Sequence, residues 1–127
     1  MHLVPPQGFA VRPATPADVE PIADLVRTFE LEFEGAAELT ADELLHDWRR
    51  YDLATGTWLL ESADGTPAAY AALRLSDDVY EADGYVHPAY AGRGLGGYLL
   101  AATEHAARTA EIRGTMLRTA IAGRDAS

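Results

Sequence analysis

The chain has 127 residues, 48% of them hydrophobic, which suffices for the core of one small domain, so we expect residues 1–127 to form a single domain. It contains no Cys, which excludes disulfides, thiolate metal sites and a covalent acyl-cysteine intermediate. The net charge of −10 argues against nucleic acid and membranes as partners, and the lack of a basic leader or a long apolar run predicts a cytoplasmic protein.

The first predicted elements are a short strand and a helix. Residues 9–12 form an extended stretch that Pro13 ends. Thr15, with Asp18 three residues later, is a capping pattern that starts a helix. Apolar residues then recur at helical spacing and should face the core. They are Val19, Ile22, Val26 and Phe29.

A second capping pattern, Thr40 with Glu43, predicts another helix. Four residues are expected to form its apolar face, because they follow helical spacing closely. They are Leu44, Leu45, Trp48 and Tyr51.

The period changes from helical to extended after Gly56. Residues 57–62 and 67–75 are predicted as two strands, joined at Asp64 and Gly65, a strong hairpin signal. The second helix and this hairpin therefore precede the glycine-rich part of the chain.

The last predicted elements surround a glycine run. A fourth strand is expected over residues 79–86, a helix over 95–112, ended by Gly114, and a fifth strand over 116–121. Four glycines lie between the end of that strand and the end of the first turn of that helix. They are Gly92, Gly94, Gly96 and Gly97. Glycines let an anion approach the backbone, and a helix N-terminus presents free N–H groups, so the run predicts a phosphate-bearing ligand.

Two kinds of phosphate cradle fit this run poorly. A P-loop needs Lys after its last glycine, but Tyr98 follows Gly97 and the chain contains no Lys. The Rossmann fingerprint G-x-G-x-x-G is matched in letters, yet it belongs in the first strand–helix unit with an acid about 20 residues on. Here the run comes late, Glu104 and Glu111 fall on the predicted helix, and Asp125 lies beyond the last strand.

The third kind is the pyrophosphate loop of the acetyl-CoA-dependent N-acetyltransferases, the GNAT superfamily, which this chain resembles over nearly its whole length. The family motif, Arg/Gln-x-x-Gly-x-Gly/Ala after V-x-P, is matched by V-H-P at residues 86–88 and by Gly94 and Gly96. The opening FAVRPATPADVEPIADL is similar to the first strand and helix of the family. Ala91 stands where the family usually has Arg or Gln, and the adjacent Arg93 can substitute.

The resemblance implies an α/β (α+β) fold with a mixed, mostly antiparallel sheet flanked by helices. The family fold normally continues with a further helix and two strands, which carry a Tyr often used to protonate the departing CoA thiolate. Because this sequence stops soon after the fifth strand, we expect a C-terminally incomplete domain. It would be a fragment, part of a tandem protein, or a half-fold completed by a homodimer partner or by a segment of a longer chain.

The resemblance also implies an N-acetyltransferase that transfers an acyl group from acetyl-CoA to a primary amine by direct attack in a ternary complex, with no metal. Strands four and five are expected to splay apart beyond the glycine run, so that the pantetheine arm inserts between them and pairs with strand-four backbone. The expected cofactor-binding residues are Tyr85, Val86, Ala91, Gly92, Arg93, Gly94, Leu95, Gly96 and Gly97.

The attacking amine must be neutral, so a general base is required. Glu81 and Asp83 lie on or beside strand four, on one face with Tyr85, and are the candidates. The alternative is that both are ordinary strand-end acids. His87 between Val86 and a Pro is common in the family motif without catalytic duty, and we expect none here.

The charge is divided unevenly along the chain. Residues 1–87 contain 17 acids and five Arg, a net −12, whereas residues 88–127 contain three acids and five Arg, a net +2. The glycine half therefore suits an anionic cofactor, and the acidic half suits a small-molecule amine or other cationic acceptor, unless its acids serve only solubility. Glu30, Glu32 and Glu34 are the candidate acceptor-binding acids, or are simply solvated.

A second function stays open, namely a non-catalytic or degenerate CoA-binding domain with a regulatory or structural role. Ala91, the missing C-terminal region and the lack of an obvious base favour it. The intact glycine run and the opposite charges of the two parts favour the enzyme.

Overall fold

A computed structural model describes residues 3–76, 79–109 and 116–122. Within these ranges the strands are β1 Phe9–Arg12, β2 Thr57–Ser62, β3 Pro67–Ser76, β4 Val79–Val86 and β5 Met116–Ala122. The α-helices are α1 Val19–Glu34, α2 Ala41–Asp47, α3 Leu53–Gly56 and α4 Leu95–Thr109. None of the helices in the described ranges combines the length and apolarity that a membrane span requires.

The strands form one sheet in the order β1-β2-β3-β4-β5. Neighbours from β1 to β4 pair antiparallel, and β4 pairs with β5 in parallel. A parallel pair needs a long crossover connection, and α4 lies in that connection. The predicted mixed, mostly antiparallel sheet flanked by helices is therefore confirmed.

Both predicted caps form. The N–H of Thr15 donates to Oδ2 of Asp18 at 2.8 Å. A 3-10 turn, Pro16–Asp18, precedes α1. At α2, the N–H of Glu43 donates to Oγ1 of Thr40 at 3.1 Å, and the N–H of Thr40 donates to Oε1 of Glu43 at 3.1 Å. These reciprocal bonds satisfy donors that a helix start leaves free.

The two faces of the sheet bury different helices. On one face Tyr70 and Ala72 of β3 belong to a core cluster with α1 and α2, including Ile22 and Leu44. On the other face the alternate residues of β3 pack with the start of α4. Residues of β4 alternate in the same way, so that its two sets of side chains face different helices.

The sequence predictions differ from the structure at a few positions. Leu45 is 43% exposed, so its assignment to the apolar face of α2 is wrong. Leu44 supplies the buried side of α2, and Leu45 lies about 100° around the helix from Leu44. The helix ends at Asp47, so the buried Trp48 lies in the 3-10 turn that follows and Tyr51 lies beyond that turn, both outside α2. The strand predicted over 116–121 extends one residue further, to Ala122. The predicted end of α4, at residues 110–114, lies outside the described residues.

Candidate functional site

The glycine run forms a tight loop between β4 and α4. After Val86 the chain makes a 3-10 turn, Pro88–Tyr90, and reaches the start of α4 through two left-handed residues. Gly92 has a φ of 78° and Gly94 a φ of 82°. Only glycine adopts this conformation without strain, so these two positions need glycine for the backbone path alone.

This loop leaves backbone donors available. The N–H of Tyr90 bonds to the oxygen of His87 at 2.9 Å, and the N–H of Tyr98 bonds to the oxygen of Gly94 at 3.0 Å. Within the described part of the chain, the N–H groups of residues 92–97 donate to no acceptor. Because three of them open α4, the positive end of the helix dipole adds to these donors, and the loop can bind an anion.

Aromatic side chains support the base of the loop. The ring of Tyr90 meets Phe9 edge-on with centroids 5.7 Å apart, and the guanidinium carbon of Arg93 lies 5.6 Å from the Tyr90 centroid. Ala91 is exposed and carries no polar side-chain atom. Arg93 is therefore the cationic side chain that the loop itself contributes.

His87 has a structural contact at this loop. Its Nδ1 accepts the N–H of Ala89 at 3.1 Å and so caps the 3-10 turn. His87 thus stabilises the turn that leads from β4 into the glycine loop.

The other candidate residues lie on the face of β4 that meets α1 and α2. Asp83 is half-buried there and lines a cavity of about 280 Å³. Burial raises the pKa of Asp83, and the nearby Arg74 opposes that rise. The cavity is lined by Asp47, Arg50, Tyr51, Arg74 and Asp83.

Glu81 has different surroundings from Asp83. It is the cross-strand partner of Arg74, and Nη2 of Arg74 lies 3.5 Å from its Oε2. Glu81 is not among the residues that line the 280 Å³ cavity. The two candidate bases thus lie on one face of β4, but only Asp83 faces the cavity.

Aromatic residues line a neighbouring cavity that has lining residues in common with this one. A second, smaller cavity of about 80 Å³ shares Asp47, Tyr51 and Asp83 with it, and its other lining residues are apolar or aromatic. Among these, the indole N–H of Trp48 donates to the hydroxyl of Tyr70 at 2.9 Å. This buried bond fixes both rings beside Asp83.

Tyr85 also lines the 80 Å³ cavity. Its ring meets Phe29 of α1 edge-on, with centroids 5.5 Å apart. Burial, followed by the nearby carboxylate of Asp83, raises the pKa of Tyr85 to about 12, so this phenol stays protonated at neutral pH. Asp83 and Tyr85 together line the 80 Å³ cavity from β4.

One acid of the acidic stretch of α1 holds the loop that follows the helix. Oε1 of Glu30 accepts the backbone N–H groups of Glu38 at 3.1 Å and Leu39 at 3.2 Å, which ties the loop after α1 to the helix. Glu32 and Glu34 are exposed. Glu30 therefore has a structural contact that the sequence alone did not reveal.

The expected divergence of β4 and β5 does not occur before the end of β4. Their parallel register runs from the pair Val79 and Met116 to the pair Tyr85 and Ala122. Within the described residues, a gap between the two strands can therefore open only from Val86 onward, at the residue that precedes the glycine loop.

Sequence reasoning missed four residues of the cavity, namely Asp47, Arg50, Tyr51 and Arg74. One signal was present, because Arg74 interrupts an otherwise apolar stretch of β3. The other three follow α2 or end it, and their approach to β4 depends on how that short helix packs.

A family model described as the acetyltransferase (GNAT) family matches residues 22–127. The chain therefore belongs to the GNAT acetyltransferase family. No curated protein matches it.

Solved structures give the same fold. The chain is 33% identical to a GCN5-related N-acetyltransferase from Sphaerobacter thermophilus, with a TM-score of 0.78 over 85% of this chain and 35% of that one. A GCN5-related N-acetyltransferase from Kribbella flavida is 26% identical, with a TM-score of 0.66 over 86% of this chain and 70% of that one.

A GNAT family acetyltransferase from Brucella melitensis, solved in complex with acetyl-CoA, is 20% identical, with a TM-score of 0.68 over 86% of this chain and 74% of that one. The chain thus spans about a third of the Sphaerobacter protein and about three quarters of the Brucella one.

Proposed function

We propose that the protein is an N-acetyltransferase that transfers an acetyl group from acetyl-CoA to a primary amine by direct attack in a ternary complex. The observation that carries the proposal is the glycine loop, where Gly92 and Gly94 are left-handed and the N–H groups of residues 92–97 have no acceptor in the described part of the chain. Donors so arranged at a helix start suit a pyrophosphate.

The loop would hold the cosubstrate mainly by its backbone. The N–H groups of Gly92, Gly94 and Leu95, with those of Gly96 and Gly97, would bind the pyrophosphate. Arg93, beside Tyr90, would supply the cationic contact that Ala91 cannot make. Val86 is the first residue of β4 beyond the β4–β5 register, and its backbone, with that of the adjacent Tyr85, would meet the pantetheine arm.

Asp83 is the residue we propose as general base. When bound, acetyl-CoA supplies the acyl group as a thioester. Asp83 would take one proton from the acceptor ammonium, directly or through one water, so that the nitrogen lone pair is free to attack. The C–N bond forms as the C–S bond breaks, the second amine proton is released, and the sulfur takes up a proton to become the CoA thiol. The raised pKa of Asp83 suits it for this transfer better than a solvated carboxylate.

Proximity would provide much of the rate enhancement. No covalent enzyme intermediate is needed, because the loop after β4 would hold acetyl-CoA and the cavity at Asp83, three residues before the end of β4, would hold the amine. The Asp83 cavity lies on the α1–α2 face of this strand, and the loop follows the strand directly.

One observation favours a second candidate function, a non-catalytic CoA-binding domain. Ala91 presents only a methyl group at the motif position where the family usually has a donor side chain. Such a domain would bind CoA and give no turnover with any amine.

A thiol-release assay separates the two functions. The chain has no Cys, so a thiol reagent reports CoA formation without background from the protein. We expect turnover with acetyl-CoA and a panel of primary amines, a large loss in the variant Asp83→Asn, and near wild-type rates in the control variant Glu20→Gln, an exposed acid outside the cavity. Acetyl-CoA binding without turnover of any amine would favour the non-catalytic domain.

A further inference from the structure

The charges that line the 280 Å³ cavity are balanced, although the surrounding part of the chain is acidic. Two carboxylates, Asp47 and Asp83, face two guanidinium groups, Arg50 and Arg74. A polycationic acceptor would meet both arginines and gain little from this lining. The local lining is complementary to a ligand that carries one charge of each sign.

Arg74 has donors to spare. Its side chain is 28% exposed, and its ion pair with Glu81 is long, at 3.5 Å, and uses Nη2 alone. Its Nε is buried and has no hydrogen-bond partner among the described residues. Because a guanidinium offers five N–H groups in a planar fork that fits a carboxylate, Arg74 is only partly satisfied by Glu81.

Arg50 is also weakly engaged. Its Nη2 lies 3.9 Å from Oδ1 of Asp47, and the two side chains are 60% and 54% exposed. A charge-assisted hydrogen bond is about 2.7–2.9 Å long, so this pair is a loose one, and exposed pairs of this kind contribute little. An anionic group between Arg50 and Arg74 would gain more from either than their present partners do.

The backbone brings the opposite charges to a suitable spacing. Glu81 is directly opposite Arg74 in the β3–β4 ladder, and Asp83 is the diagonal neighbour of Arg74 on the same face. Diagonal neighbours lie about 7–8 Å apart, within reach of a long side chain and a small ligand between them.

The volume suits a small acceptor. Small-molecule sites usually measure about 300–1,000 Å³. The cavity of about 280 Å³ is near the lower limit, and the adjoining aromatic cavity of about 80 Å³ offers room for an apolar group.

We propose that the acceptor is a zwitterion, a small amino acid or a close analogue with a carboxylate beside the amine, an inference that rests on the proposed function. Arg50 and Arg74 bind the carboxylate, Asp83 receives the ammonium, and the aromatic cavity takes the side chain. In this binding mode Arg50 and Arg74 are specificity-determining residues. The sequence led us to expect a cationic acceptor, and the cavity favours one whose ammonium charge is balanced by a carboxylate.

The test compares each proteinogenic L-amino acid with its own carboxamide as acceptor for the full chain and acetyl-CoA. The amide keeps the size and the amine but lacks the negative charge. For the best acid, we expect kcat/KM to exceed that of its amide by about tenfold or more, as the loss of a charged contact implies. Arg74→Gln and Arg50→Gln should bring that ratio close to one, whereas Arg49→Gln, an exposed neighbour outside the cavity, should leave it unchanged.

A readout independent of turnover is calorimetric titration of the CoA-saturated protein with the same acid and amide, where only the acid should bind measurably. Amides that equal or exceed their acids in the wild-type protein would overturn the inference. So would turnover of simple amines with none of the acids. Acetyl-CoA binding with no turnover in either series, or no acetyl-CoA binding at all, would instead refute the proposed function. The two failures are distinguished by whether any amine is acetylated.

Discussion

The glycine loop makes a sharp prediction at Gly94. This residue has a φ of 82° and lies immediately before α4, so the N–H groups on either side of it belong to the proposed phosphate site. In the variant Gly94→Ala, an L side chain must accept the left-handed conformation or rotate the adjacent peptides toward negative φ. Rotation would turn the Gly94 and Leu95 N–H groups away from the bound pyrophosphate.

We expect Gly94→Ala to change two free energies, that of unfolding and that of acetyl-CoA binding. The left-handed conformation costs an alanine about 1–2 kcal/mol, which should appear as a loss of unfolding free energy. The binding part is separate, because one or two charge-assisted hydrogen bonds from backbone donors are weakened, each worth about 1.5–3 kcal/mol. We therefore expect acetyl-CoA to bind at least about tenfold more weakly.

The chain supplies a matched control in Gly35. It has the same φ of 82°, caps the end of α1 outside the glycine loop, and has nothing within 4 Å of an added Cβ. Gly35→Ala should lose a similar unfolding free energy in a urea titration and should bind acetyl-CoA as the wild-type protein does in calorimetry. If Gly94→Ala and Gly35→Ala bind acetyl-CoA equally well, the backbone account of the loop is refuted.

Three further predictions concern the face of the sheet opposite α4 and the first helix cap. Asp83→Asn should lower kcat/KM by about a hundredfold or more and remove the rise of rate with pH, and unchanged turnover would contradict the base role. Folding raises the pKa of this acid, so its charged form lowers the unfolding free energy as the pH rises above 3.8. The variant should therefore be no less stable than the wild-type protein in urea at pH 7. The Arg12 guanidinium lowers the pKa of Asp18 to about 2, so this ion pair contributes to the unfolding free energy above pH 3.8 and the contribution is lost as the pH falls toward 2. Asp18→Asn should lower the unfolding free energy by about 1–2 kcal/mol at pH 7 and by little at pH 2, and equal losses at both pH values would be inconsistent with the ion pair. Tyr70→Phe removes the acceptor of the buried Trp48 N–H and should cost about 1–3 kcal/mol in urea unfolding, a cost that would be absent if the bond is dispensable.

Most of the fold could be predicted from patterns of residues that lie close together in the sequence. The capping pairs at Thr15 and Thr40 and the hairpin at Asp64 depend on residues within a few positions of one another, and all three form as predicted. The bounds of β1, β2 and β4 also agree with the predicted ones. The prediction that Leu45 is buried was wrong because α2 has only seven residues, and helical spacing over so short a segment does not decide which side of the helix packs against the core.

Part of the candidate site could likewise be predicted from local sequence, and part could not. The glycine loop is contiguous in sequence, so its glycines could be read together with the helix that follows. The Asp83 cavity could not, because Arg74 reaches it through the β3–β4 register and Arg50 through the packing of the chain after α2. Neither relation leaves a pattern in the sequence, and the contact of Glu30 with the backbone of Leu39 is equally long-range.

The most direct test of the central claim is calorimetric titration of the 127-residue chain with acetyl-CoA, with CoA and NADH as comparators. All three ligands carry a pyrophosphate, but the GNAT account predicts binding of acetyl-CoA and CoA and none of NADH. Absence of acetyl-CoA binding, or equal binding of NADH, would contradict the assignment of the glycine loop as an acetyl-CoA site.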